Sequence, residues 1–113
     1  MKLYDTFKKW VQEATLLRRE GFVLVKDNND LVAKAGWKET NFVRQPVEDA
    51  PQLRLKILRH NEYGTIVAIN PIPVNYTYQF CTPRPIKSDE VFETIKEYFE
   101  SVRSGNRYMP KRY

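Results

Sequence analysis

Between Leu53 and His60 the chain reads LRLKILRH, and its apolar residues fall on every second position. An extended strand with one buried face puts Leu53, Leu55 and Ile57 on one side and Arg54 and Lys56 on the other. A slip of one residue would bury both cations, so the run dictates a strand and its register against a core. VNYTYQF, Val74 to Phe80, repeats the pattern: Val74, Tyr76, Tyr78 and Phe80 are in phase, and Asn75, Thr77 and Gln79 are out of phase. TIVAI, Thr65 to Ile69, lies between the two runs and is apolar on both sides, as a central strand is. Asn61 to Gly64 supplies a turn before it. Pro71 and Pro73 are expected to end it, because proline cannot donate to a ladder.

Both ends of the chain carry a helical period instead. Leu3, Phe7, Trp10, Ala14 and Leu17 recur at three- and four-residue steps, widened by Tyr4 and Val11. Lys8, Lys9, Gln12, Glu13, Arg19 and Glu20 fall mostly opposite. The spacing predicts an amphipathic helix of about four turns, closed by Gly21, with Asp5 near its positive end. SDEVFETIKEYFESV, Ser88 to Val102, predicts a second helix, with Ser88 as N-cap and Asp89 and Glu90 in the first turn. Its buried stripe is Val91, Ile95, Tyr98 and Val102, flanked by Phe92 and Phe99, and Gly105 ends it.

The region between the first helix and Leu53 is less regular. FVLVK and LVAKA around DNND predict a hairpin. Gly36 to Gln52, with Pro46 and Pro51 and no clean period, reads as a long loop whose Trp37, Phe42 and Val43 pack down in part. A short extra strand around Asn41 to Arg44 fits within it.

The element order predicts an α+β domain: an antiparallel sheet of four or five strands, with the N- and C-terminal helices packed on one face. It is expected to span residues 1–105 as a single domain, followed by a short basic, aromatic tail over 106–113. At 113 residues, 42% of them hydrophobic and 13% aromatic, the chain can bury a core without staples. With both helices on one face, Val74, Tyr76, Tyr78 and Phe80 join Leu53, Leu55 and Ile57 beneath them. The opposite face is then polar and basic, and open to water or to a partner. Displaying the aromatics to nucleic-acid bases is the alternative, and it forgoes about 1.5–3 kcal/mol of burial for each ring.

The sequence argues against several function classes. His60 is the only histidine and Cys81 the only cysteine. A nucleophile needs a base within hydrogen-bond reach, and nothing local brings His60 at one strand end to Cys81 at another. No Cys or His pairs have zinc spacing, and the four glycines are scattered singly, so no phosphate loop, metal or other cofactor is expected. Glu93, Glu97 and Glu100 share a helix face and read as a solvated surface. Asp5, Lys8, Lys9 and Glu13 interrupt any apolar leader. No apolar run approaches the roughly 18 residues a membrane span needs. A lone cysteine fits a reducing compartment, so a cytoplasmic location without membrane attachment is expected.

A binding role is what remains. The leading expectation is a small non-catalytic regulator or adaptor that contacts another protein, with Trp37 and Phe42 of the long loop and Arg107, Tyr108, Lys111, Arg112 and Tyr113 of the tail as anchors. The alternative is nucleic-acid binding through the basic sheet face, with Arg54, Lys56 and Gln79 holding phosphates and the tail assisting. A net charge of +5 permits an acidic partner without requiring one. Residues 89–100 carry five acids against Lys96, whereas residues 101–113 carry four cations and no acid. The two segments suit pairing within the chain or with a second copy. An uncovered sheet face or edge strand would also admit a homo-oligomer.

Overall fold

The computed structural model describes residues 3–25, 33–47, 51–74 and 78–105, with side chains from residue 11 onward in the first of these segments. Helix α1 (Leu3–Arg19) leads into strands β1 (Val23–Val25), β2 (Trp37–Arg44), β3 (Gln52–His60), β4 (Gly64–Ile72) and β5 (Phe80–Cys81). A single 3₁₀ turn (Ser88–Glu90) then opens helix α2 (Val91–Arg103). The strands form one sheet in the order β1-β2-β3-β4-β5, antiparallel throughout. This is the expected α+β architecture, with five strands.

Local chemistry explains where the elements stop. Gly21 ends α1 with φ of 89°. Its N–H bonds Arg18 O at 3.0 Å and the next N–H, of Phe22, bonds Leu17 O at 2.9 Å. This double closure needs a left-handed residue, which glycine adopts without steric cost. At the start of α2, Ser88 is the first residue of the 3₁₀ turn rather than the cap. The Glu90 carboxylate accepts the Lys87 N–H at 3.3 Å, and Thr94 Oγ1 donates to Glu90 O at 2.8 Å.

Both helices cover the face that carries Leu53, Leu55 and Ile57. These residues form the core with Leu17 of α1, Phe22, Val67 and Ile69 of β4, Phe80, Ile86, and Val91, Ile95, Tyr98 and Phe99 of α2. The Phe80 and Tyr98 rings lie 5.9 Å apart, and the Tyr98 hydroxyl donates to Tyr78 O. Burial pushes the Tyr98 phenol well above its usual value, more than the nearby Arg44 lowers it. Neighbouring Arg103 and Glu20 form an ion pair that joins the ends of the two helices.

Four local expectations are corrected. The segment expected to be a loop from Gly36 contains β2, which includes the short strand expected around Asn41 to Arg44 but starts at Trp37 and pairs along all eight residues with β3. LVAKA is not the second arm of a hairpin: Ala33 and Lys34 are helical, and the partner of β1 is residues 41–43. Pro71 does not end β4. It sits in register with Leu53, beyond the two residues of β4 that β5 pairs, where a missing N–H leaves no ladder bond unmade on that side. VNYTYQF is not one strand: only Phe80 of that run is in β5. Tyr78 packs against the core and Phe80 is in it, but Val74 is exposed. Tyr76, the DNND turn and the tail with Arg107, Tyr108, Lys111, Arg112 and Tyr113 lie outside the described residues.

Candidate protein-interaction surface

Register fixes which side chains share the uncovered face. Trp37 is opposite His60, Glu39 opposite Leu58, Asn41 opposite Lys56, and Val43 opposite Arg54. Across the next ladder, Leu58 meets Ile66, Lys56 meets Ala68, and Arg54 meets Asn70. Cys81 of β5 is opposite Ala68 and so lies on the same face.

The middle of this face is neither flat nor bare. Asn41 is fully buried, and the Glu39 side chain is only 6% exposed. Asn41 Nδ2 donates to Glu39 Oε2 at 2.8 Å, while Glu39 Oε1 lies 3.9 Å from Lys56 Nζ. Buried polar groups are mostly paired, and here one carboxylate joins the Asn41 amide N–H and the Lys56 ammonium, while Asn41 Oδ1 has no hydrogen-bond partner among the described residues. Lys56 therefore already has a counter-ion, and Arg54 is engaged as well.

One end of the face is aromatic. Trp37 starts β2, His60 ends β3, and Tyr63 lies in the three-residue turn before β4. The ring centroids of Trp37 and His60 are 5.0 Å apart, those of His60 and Tyr63 4.5 Å, and the Trp37 and Tyr63 rings stack at 6.3 Å. The imidazole is pinned from both sides. The Glu62 N–H donates to Nδ1 at 3.0 Å, so Nε2 carries the proton and donates to Ala35 O at 3.2 Å. Gly36, at φ of 91°, lets the backbone pass over the ring, where an added Cβ would lie 2.8 Å from Nε2. Tyr63 remains 63% exposed above this base. Sequence reasoning singled out Trp37 as an anchor and weighed His60 only as a base, and it passed over Tyr63 and the contact among the three. Tyr63 and His60 become visible only when the β3–β4 turn folds back on β2.

The other expected positions scatter. Trp37 and Phe42 lie on opposite faces of β2: Phe42 is in register with Leu55 and packs against the core. Arg54 and Lys56 share the uncovered face, and Gln79 is exposed just before β5. Cys81 is no partner for His60. Their register partners on β4 are Ala68 and Gly64, four residues or about 13 Å apart along the strand. Burial raises the Cys81 thiol, away from the thiolate a nucleophile needs. Among the described residues, no group of three or more His, Cys, Asp or Glu side chains is placed to hold a metal ion, and no helix is long and apolar enough to cross a membrane.

A pair of charges on the helix-covered side was also missed. Glu13, expected on the solvated side of α1, is buried, and Arg59 Nη2 donates to its Oε2 at 2.6 Å. The signal was in the strand: Arg59 is in phase with Leu53, Leu55 and Ile57, and a cation on an apolar phase needs a carboxylate. Burial raises the Glu13 carboxyl more than Arg59 lowers it.

No protein-family model, curated protein or solved structure matches the chain.

Proposed function

We propose that the protein is a small non-catalytic regulator or adaptor that binds another protein through the aromatic end of the uncovered sheet face. The observation that carries this reading is the cluster of Trp37, His60 and Tyr63, held rigid beneath and exposed above. Interface anchors are typically aromatic, and a ring already fixed in place loses little side-chain entropy on docking. The nucleic-acid alternative draws on Arg54 and Lys56, further along β3 on the same face. The Glu39 carboxylate at Lys56 weighs against it, because a phosphate would have to displace that contact.

Recovery of partners from the protein's own cell separates the two readings. A Tyr63→Ala variant should fold normally and bind its protein partner about 30-fold more weakly, the loss of a hot-spot side chain. Retention of the partner by that variant would end the protein-binding reading at this site. Recovered nucleic acid whose binding falls steeply between two salt concentrations would move the alternative to first place.

A further inference from the structure

The two edges of the sheet are finished differently. Past β5 the chain stays bonded to β4: the Thr82 N–H donates to Val67 O at 3.0 Å, and Thr65 and Ile86 exchange two bonds of 2.8 Å. At the other edge, β1 pairs with β2 and with no other described strand. Its three residues, Val-Leu-Val, include no charge, and Val23 and Leu24 are 66% and 62% exposed. Edge strands are ordinarily guarded by a charge, a proline or a bulge, and β1 has none. A groove of about 480 Å³ runs beside it, with Val23, Val25, Val43 and Val47 among its apolar lining and Glu20 and Arg44 among its charged lining.

The two charged residues that line the groove differ in their partners. Glu20 is taken by Arg103, and Arg18 and Arg19 precede it in the last turn of α1. Arg44 lies over the Phe22 ring, 5.5 Å from its centroid, and its buried Nε has no hydrogen-bond partner. Burial lowers the Arg44 guanidinium, so a nearby anion would relieve a desolvated cation. Among the described lining residues, Arg44 is thus a cation with no carboxylate beside it, Glu20 being held by Arg103. A second copy of the chain would bring a second Arg44 to the interface, whereas an acidic segment would neutralise this one.

We propose that β1 and its groove bind an extended peptide segment of a partner protein as a sixth strand, with alternate apolar side chains against the valines and an aspartate or glutamate answering Arg44. This rests on the protein-binding reading but uses a surface distinct from the aromatic cluster. The edge of β1, paired by no second described strand, supplies main-chain hydrogen bonds, and the groove and Arg44 supply selectivity.

Random octapeptides displayed on phage, selected against the full chain, test this. Enriched peptides should alternate apolar residues with Asp or Glu and shift amide resonances at residues 21–25 and 43–45. Val23→Lys, at an exposed position, should weaken them at least ten-fold without changing the melting temperature. Arg44→Gln should weaken acidic peptides about ten-fold and bring them level with versions carrying Asn and Gln. If Arg44→Gln fails to fold, Val23→Lys and the amide peptides decide alone. No enrichment, enrichment without acids, or self-association of the chain through β1 would overturn the proposal. Shifts centred on Trp37, His60 and Tyr63 would also overturn it, while leaving the proposed function standing.

Discussion

Strand β3 supplies both faces of the sheet from alternate residues, and the two faces behave differently. Leu53, Leu55 and Ile57 are sealed beneath two helices. Arg54, Lys56 and Leu58, one residue out of phase, are half-buried among a carboxylate, an amide and a cluster of rings. The covered face, the Glu13–Arg59 pair apart, is held by area and packing, which are non-directional and tolerate no lost volume. The other is held by paired polar groups and stacked rings, where geometry matters more than area. One strand can serve both because its side-chain period is two.

Substitutions can break or sharpen that contrast. Leu55→Ala should cost about 2–5 kcal/mol, read from urea unfolding, since the cavity lies where nothing can collapse to fill it. Leu58→Ala, three residues along, should cost about 1 kcal/mol or less; equal losses would mean that the two faces are packed alike. Gly36→Ala should cost about 1–3 kcal/mol, because the position combines positive φ with a close approach to His60, and the effect would show that the aromatic end is built to a shape. Tyr98→Phe should cost about 1–2 kcal/mol by leaving the Tyr78 carbonyl without its buried donor.

The smallest effect is pH-dependent. The Glu13 carboxyl is raised above its usual 4.5, so it holds its proton more tightly in the folded chain than in the unfolded one. Its contribution is fully present below the unfolded value and is lost as pH rises through the higher folded one. Wild type should therefore gain stability relative to Glu13→Gln as the pH falls from about 7 to about 4. The opposite slope in paired urea midpoints would mean that attraction to Arg59 outweighs burial.

The sequence disclosed what depends on one strand or one helix. The period of LRLKILRH and the stripe Val91, Ile95, Tyr98 were legible because each buries a continuous apolar set. β2 was legible only around Asn41 to Arg44, because its helix-facing set is Lys38, Thr40, Phe42 and Arg44, in which pairing with β3 stands in for apolar alternation. The aromatic cluster was illegible, and the Glu13–Arg59 pair left only the trace of Arg59 on the apolar phase of β3. Each joins residues from two or more elements, and no local pattern encodes where those elements meet.

The strands hydrogen-bond in the order in which they are written, so each finds its neighbour by closing a short stretch of chain, at little entropic cost. The core does not follow that economy. Four of its members, Val91, Ile95, Tyr98 and Phe99, come from the helix that follows all five strands. On a ribosome the whole sheet could be synthesised with Leu53, Leu55 and Ile57 still covered on that side by α1 alone. Until the final helix emerges, the nascent chain would present an adhesive surface for a chaperone to shield.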